Sequence, residues 1–152
     1  IFNHRGITKS DHALGNEACI DATIGLLKKP GWKGLLFTNL VDTDMLYGHR
    51  NDPKGFARAL EAIDKRMPEI LRYLGDDGML IVCADHGCDP TFPSTDHTRE
   101  RVPLLVYGLG LKEGIRLGVR ETFADVSATV LDALGIKARL DGKSFYSRIV
   151  LD

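Results

Sequence analysis

Three largely apolar segments along the chain predict buried β-strands. They span residues 34–41, 79–84 and 102–108, and they lack the strict alternation of polar and apolar side chains that marks a half-exposed strand. Strands of this kind belong to the interior of a sheet that is covered on both faces. Pro103 confines the third segment to the start of a strand or to a sheet edge, because proline cannot donate to the ladder.

Apolar side chains recur every three or four residues in three further segments, which predict helices. The first helix is expected to begin with Asn16 as its N-cap and to end at residues 28–31, which contain two lysines, a proline and a glycine. Its apolar stripe consists of Ile20, Ile24 and Leu27.

The strongest helical pattern spans residues 54–74. Pro53 suits the first turn of this helix, and Pro68 is expected to kink the helix or to divide it at Met67. A third helix is predicted over residues 122–134. Residues 109–121 are expected to form a turn or a short hairpin, and the tail is expected to pack through Ile136, Leu140, Phe145 and Ile149.

The order strand, helix, strand over residues 34–84 predicts a right-handed βαβ unit and an α/β fold, with both strand ends at one edge of the sheet. Acidic and histidine residues follow each strand: Asp44 and His49 after the first, Asp85 and His86 after the second. His97 lies in the long loop that follows. Carboxylates and imidazoles together suit divalent cations, so this edge is a predicted metal site.

The number of candidate ligands favours two ions. Five side chains are too many for one four-coordinate ion with an open position and too few for two closed sites. A pair of divalent ions that lacks some of its ligands fits better, and such pairs serve phosphoryl transfer. Asp42 is expected either to orient a ligating histidine or to cap the loop.

Composition narrows the class of protein. The chain has 152 residues, 43% apolar and 27% charged, which is enough for one domain with a real core. A formal net charge of −1 gives no reason to expect nucleic acid or an anionic membrane as partner. No apolar run approaches a membrane span, and no signal peptide opens the chain.

The cysteines and the first residue add two expectations. The three cysteines lack metal-like spacing. Cys83 is expected to be a reduced core thiol and Cys88 a spectator beside the site, a usage that suits the cytoplasm. The chain starts at Ile1 without a methionine, as expected for a piece of a longer protein.

The motifs together resemble a known superfamily. Asp44-x4-His49, Asp85-His86-Gly87 and His97 are similar to the C-terminal half of the metal core of the alkaline phosphatase superfamily. The wider context more closely resembles the phosphopentomutase family, over nearly all of residues 1–145; the similar segments are 39–53, 59–64, 84–91 and 94–100. This resemblance implies an alkaline phosphatase-like α/β core with a mostly parallel sheet flanked by helices on both faces. It also implies that residues 1–152 are the C-terminal part of that core, without its N-terminal part and its cap domain.

The resemblance further implies an activity and roles for residues. The family interconverts the 1-phosphate and 5-phosphate of ribose and deoxyribose, using two Mn²⁺ ions and a phosphothreonine that would lie outside this segment. By resemblance, one manganese is held by Asp44, His49 and His97, and the other by Asp85 and His86. Three residues close to His97 are expected either to bind phosphate or to serve only as loop residues: Thr98, Arg99 and Arg101. Arg101 departs from the family, which commonly has an aromatic residue there.

Two alternatives stay open at this point. The first is another enzyme of the superfamily, such as a cofactor-independent phosphoglycerate mutase or a phosphatase, although residues 48–53 and 95–100 fit phosphopentomutase better. The second is a fragment that is catalytically inactive as it stands, because it lacks the threonine and one aspartate ligand. The expected partners are small pentose phosphates.

Overall fold

A computed structural model describes Asn3 and residues 5–151. It divides the chain into two compact units. The first unit contains the chain up to Gly31 together with Leu36–Tyr73 and Cys88–Thr98. The second contains Trp32–Leu35, Leu74–Gly87 and the chain from Arg99 onward. The chain enters each unit more than once, and the single domain predicted from chain length stays a prediction.

In the first unit, helix α1 (Gly15–Leu27) and helix α2 (Pro53–Arg72) carry the core. Ile20 and Ile24 of α1 are 1% and 3% exposed, and Ile70 of α2 is also buried, as expected from the apolar stripes. The predicted N-cap of α1 is wrong. Asn16 lies inside the first turn and does not cap it, because its Oδ1 accepts a hydrogen bond from the Asp42 backbone N–H at 3.1 Å.

Asp42 caps helix α1 from a distant part of the sequence. Its Oδ2 accepts from the backbone N–H of Asn16 at 2.8 Å, which satisfies one of the N–H groups that have no partner inside the helix. Of the two roles expected for Asp42, the structure supports a cap, but the segment that it caps is helix α1 and not the loop. This pair of hydrogen bonds anchors the start of the segment that carries Asp44.

Helix α2 begins as the sequence predicts and is continuous. Pro53 is its first residue, and the Asp52 side chain accepts from the Gly55 backbone N–H at 2.9 Å. The helix runs through Pro68 without division at Met67, because the missing N–H removes a single hydrogen bond from a helix of 20 residues.

One arginine of α2 joins the two helices. Arg66 donates to Glu17 and Asp21 of α1, each at 2.7 Å, and to Glu69 on its own helix. The hydrogen bond to Asp21, followed by that to Glu17, raises the pKa of the Arg66 guanidinium above its usual range. The arginine therefore stays charged and holds α1 against α2.

The second unit contains strand β1 (Leu80–Cys83), strand β2 (Leu104–Tyr107), helix α3 (Ala124–Ala133) and the short helix α4 (Tyr146–Ile149). The strands pair antiparallel, with Leu80 opposite Tyr107. In the described part of the chain the sheet has these two strands, so the mostly parallel sheet stays a prediction. Within that part, no helix combines the length and apolar composition of a membrane span.

The predicted strand over residues 34–41 does not form. Residues 35–41 adopt no regular structure, and Leu35 and Phe37 are exposed. A strand requires a neighbouring strand for its ladder, and the ladder among the described residues joins only β1 to β2. Cys83 is also exposed rather than a core thiol, because it is the last residue of β1 and its side chain lies outside the core.

A compact C-terminal core completes the second unit. Phe145 and Thr129 are 0% exposed and Ile149 is buried, whereas the predicted packing residues Ile136 and Leu140 are exposed. The Thr129 hydroxyl donates to the Asp125 carbonyl at 2.7 Å and accepts from the Phe145 N–H at 3.0 Å. The core thus contains a hydrogen-bonded threonine that hydrophobicity alone does not indicate.

Candidate metal centre

Two short turns in the first unit position Asp44 and His49. A π-helical turn, Thr43–Tyr47, is followed directly by a 3₁₀ turn, Gly48–Arg50. Gly48 allows the loop at 88–98 to approach this segment closely. A Cβ at Gly48 would lie 2.3 Å from the Cys88 Sγ and 3.2 Å from the Thr43 carbonyl oxygen. This close packing gives Cys88 a structural role beside the site.

Asp44, His49 and His97 converge at one point of the first unit. His49 Nε2 lies 3.3 Å from Asp44 Oδ2, and His97 Nε2 lies 3.3 Å from Asp44 Oδ1. The two Nε2 atoms are 3.1 Å apart. The structure therefore brings these three predicted ligands together, and we call them the triad.

A hydrogen bond fixes which nitrogen of His49 faces the triad. His49 Nδ1 contacts the Thr95 carbonyl oxygen, which can only accept, so Nδ1 carries the proton. In the neutral ring, Nε2 then presents a lone pair toward Asp44. A backbone carbonyl on the far nitrogen is the usual partner of a metal-ligating histidine.

The Asp44 carboxylate also fits a cation. Asp44 is half-buried, and although His97 Nε2 lies 3.3 Å away, Asp44 Oδ1 has no hydrogen-bond partner among the described residues. A buried carboxylate oxygen without a proton donor is costly unless a cation compensates it. The lone pair of His49 Nε2 beside Asp44 Oδ2 adds repulsion, which a bound cation would remove.

The two histidine nitrogens and the carboxylate of the triad are spaced as the ligands of one ion would be. With bonds of about 2.1 Å to nitrogen or oxygen, adjacent ligands are about 3.0 Å apart in an octahedron and about 3.4 Å apart in a tetrahedron. The Nε2 atoms of His49 and His97 are 3.1 Å apart, and each lies 3.3 Å from a different oxygen of the Asp44 carboxylate, so these separations fall between the two values. Two imidazoles and a carboxylate suit a divalent transition metal.

The other two predicted ligands are neighbours in the second unit. His86 Nε2 lies 3.6 Å from Asp85 Oδ1, and His86 Nδ1 donates to the Gly87 carbonyl oxygen at 3.1 Å. As in His49, the backbone carbonyl leaves Nε2 as the ligating atom. Asp85 follows β1 almost directly and is exposed, as expected for a carboxylate at the end of a strand.

The residues predicted to bind phosphate differ in their surroundings. Thr98 Oγ1 accepts from the Asp89 backbone N–H at 2.8 Å, which supports the alternative role of a loop residue. Hydrogen bonds from the hydroxyl and the backbone N–H of Thr91 lower the pKa of Asp89, so its carboxylate fixes the same loop. Arg99 and Arg101 are exposed, and their role in phosphate binding stays a prediction.

Sequence reasoning missed two residues that shape the triad. Thr95 contributes a backbone carbonyl, for which a sequence carries no signal. Asn51 donates from its side chain to the Phe92 carbonyl oxygen at 3.0 Å and adopts φ 51°. Asparagine directly before Asp52-Pro53 was a possible signal, because asparagine is enriched at left-handed turn positions.

Comparisons with known proteins show which family the chain resembles. A family model described as the metalloenzyme superfamily matches residues 1–138. A phosphopentomutase of Acetivibrio thermocellus is 53% identical over 150 residues, which is 99% of this chain and 38% of the relative. A phosphopentomutase of Thermotoga maritima is 51% identical over 149 residues, covering 98% of this chain and 38% of the relative. The chain thus spans about 38% of the length of these curated relatives.

Proposed function

The chain belongs to the metalloenzyme superfamily, and on this basis we propose that it is the metal-binding part of a phosphopentomutase. The full-length protein would interconvert the 1-phosphate and 5-phosphate of ribose or deoxyribose. Relatives that carry the name phosphopentomutase, at 53% and 51% identity, support the proposal. The observation that carries it is the triad, in which the two histidine Nε2 atoms lie 3.1 Å apart and each lies 3.3 Å from an oxygen of the Asp44 carboxylate.

We propose that two divalent ions, Mn²⁺ in the first place, bind this protein. The triad of Asp44, His49 and His97 would hold one ion, and Asp85 with His86 would contribute to the other. When bound, such a pair neutralises the negative charge that develops on the phosphoryl oxygens during transfer. The exposed imidazole of His97 and the half-buried carboxylate of Asp44 leave the site open to solvent and substrate.

Backbone carbonyl groups of this chain hold two of the proposed metal-binding histidines in the orientation that a metal ion requires. His49 donates its Nδ1 proton to the Thr95 carbonyl, and His86 donates its Nδ1 proton to the Gly87 carbonyl. Both rings are thereby kept in the tautomer that presents Nε2. Asp44 supplies the compensating negative charge.

Substrate binding and phosphoryl transfer would involve exposed arginine side chains of this chain and a nucleophile from outside the segment. We propose that a phosphothreonine located elsewhere in the full-length protein carries the phosphoryl group between the two sugar oxygens. The guanidinium groups of Arg99 and Arg101 would contact the substrate phosphate, because the guanidinium fork matches phosphate oxygens. A small sugar phosphate in the cytoplasm is the proposed substrate.

The test is a substrate comparison with the full-length protein. Ribose 1-phosphate, 3-phosphoglycerate and a simple phosphate ester are offered in parallel, with Mn²⁺ and with a chelator. We expect turnover of ribose 1-phosphate alone, its loss in the chelator, and its loss in the variants Asp44→Asn and Asp85→Ala. Asp76→Asn, which changes an exposed acid in the turn before β1, is the matched control and should retain activity.

Each departure from this pattern has a defined meaning. Preferred turnover of 3-phosphoglycerate or of the ester would assign the protein to another branch of the superfamily. Full activity of Asp85→Ala, or activity that is insensitive to the chelator, would contradict the metal mechanism. The 152-residue segment alone is expected to be inactive, because the proposed phosphothreonine would lie outside it.

A further inference from the structure

We propose that Asn51 is a positioning residue that sets the affinity of the triad for a divalent cation. This inference rests on the proposed metal-binding function of Asp44, His49 and His97. Asn51 acts through the loop at 88–98, by which it aligns Thr95 and His97 with His49.

The backbone of Asn51 ends the turn that carries His49. Asn51 has φ 51° and ψ 43°, and from residue 5 to residue 151 it is the one non-glycine residue with positive φ. Its N–H donates to the Gly48 carbonyl at 3.1 Å, and the next N–H, of Asp52, donates to the Tyr47 carbonyl at 3.0 Å. Asparagine adopts this left-handed conformation at lower cost than most residues.

The side chain of Asn51 ties this turn to the loop at 88–98. Its Nδ2 donates to the Phe92 carbonyl oxygen at 3.0 Å. Phe92 lies within a tight turn, because its N–H donates to the Asp89 carbonyl at 3.1 Å and its carbonyl also accepts from the Ser94 N–H at 2.8 Å. The Asn51 side chain is thus hydrogen-bonded to a tight turn of the loop.

Two hydrogen bonds therefore connect the same two segments. One joins Asn51 to Phe92, and the other joins His49 Nδ1 to the Thr95 carbonyl. His49 is two residues from Asn51, and Thr95 is three residues from Phe92. If the first bond is lost, the loop is free to shift relative to the turn. Thr95 then orients His49 less well, and His97 moves relative to Asp44.

The test uses the full-length protein with Mn²⁺ as the probe and two variants that separate backbone from side chain. Asn51→Gly keeps the left-handed backbone but removes the amide. Asn51→Asp keeps the shape and a tolerance of this conformation, but replaces the donor by an acceptor. Calorimetric titration should show Mn²⁺ bound about 3- to 10-fold more weakly by both variants than by the wild type. Because the added carboxylate would attract Mn²⁺, weaker binding by Asn51→Asp isolates the lost donor.

A second measurement distinguishes positioning from general destabilisation. Proton–nitrogen NMR of the metal-free protein with labelled histidines should show His49 as the Nδ1–H tautomer in the wild type and as a mixture of tautomers in Asn51→Gly. The exposed His12 serves as the internal reference and should not change. The unfolding temperature of the metal-free Asn51→Gly protein should stay within about 2 °C of the wild type, since one exposed hydrogen bond is lost.

The possible outcomes separate this inference from the function on which it rests. Equal Mn²⁺ affinity of the wild type and both Asn51 variants, with binding lost in Asp44→Asn, would overturn the role of Asn51 and leave the metal site intact. Wild-type binding that is unaffected by Asp44→Asn would overturn both. A fall in affinity accompanied by a large loss of metal-free stability and an unchanged His49 tautomer would assign Asn51 a merely structural role.

Discussion

Replacing Gly55 by alanine should destabilise the protein although alanine is the better helix former. Gly55 lies in the first turn of α2, where the gain in helix propensity is about 1 kcal/mol. A Cβ there would lie 2.2 and 2.6 Å from two carbons of the Tyr47 ring and 2.3 Å from Asp52 Oδ2. These distances are far below the about 3.5 Å of a favourable carbon contact.

The net cost can be worked out from these contacts. Overpacking against the Tyr47 ring costs about 1–3 kcal/mol, and displacing the Asp52 cap costs about 1 kcal/mol. After the propensity gain is subtracted, the free energy of unfolding of Gly55→Ala should fall by about 2 kcal/mol. For a protein of this size the unfolding temperature should then fall by about 4–8 °C.

Gly25→Ala is the matched control. Gly25 lies in α1 and is exposed, and a Cβ at this position would have no neighbouring atom within 4 Å, so the same substitution meets open space. It should raise the free energy of unfolding by about 1 kcal/mol. Thermal and urea unfolding of both variants gives the comparison. If Gly55→Ala is as stabilising as Gly25→Ala, Tyr47 does not pack on α2, and the account of how the turns at 43–50 are held in place is wrong.

Two further predictions concern the second unit. Thr129→Val removes the hydroxyl that accepts from the Phe145 N–H inside a fully buried core. Urea unfolding should therefore show a free energy of unfolding lower by about 1–3 kcal/mol. A smaller decrease in Thr129→Ser would confirm that the hydroxyl matters. Hydrogen bonds from the Lys143 N–H and from Arg120 lower the pKa of Asp125. The Asp125 carboxylate therefore stabilises the fold fully above the unfolded pKa of about 3.9, and this stabilisation is lost as the pH falls through the lower folded pKa. The free energy of unfolding of the wild type should therefore fall more steeply with decreasing pH below about pH 4. An equally steep fall for Asp125→Asn would contradict this.

The helices could be predicted from the sequence because their cores are local. The stripes of α1 and α2 repeat within a few residues, and Ile20, Ile24 and Ile70 are buried as their spacing indicates. The strand predicted at 34–41 did not form because a strand depends on a distant partner, which composition does not specify. The strand that contains Cys83 did form, and the prediction that this thiol lies in the core was wrong because Cys83 is the exposed last residue of that strand.

In the C-terminal part of the chain, the sequence pattern also failed to indicate which residues are buried. Ile136 and Leu140 were expected to pack and are exposed, whereas the buried residues include Thr129 and Asp125. The Asp125 carboxylate accepts from Arg120 and from the Lys143 N–H, each at 2.7 Å. No periodic pattern indicates such a pairing, since it joins residues of a loop, a helix and the tail.

The structure brings the side chains of the triad close together, and their role as metal ligands stays a prediction. The structural reason expected for their proximity was wrong. A parallel βαβ unit was expected to bring the loops together, yet the first strand is absent from the described residues 35–41. Asp44 and His49 instead lie on two consecutive helical turns, and Thr95 positions the ring of His49. Motif resemblance identified the side chains, whereas their alignment depends on backbone carbonyls that a sequence does not reveal.

The central claim is that the triad binds one divalent ion through the Nε2 atoms of its histidines. The most direct test is an anomalous difference map from crystals of the full-length protein grown with Mn²⁺. We predict a manganese peak at about 2.0–2.4 Å from His49 Nε2, His97 Nε2 and an Asp44 carboxylate oxygen. A map with no peak there, or an ion bound through His49 Nδ1 with its bond to the Thr95 carbonyl broken, would contradict the account.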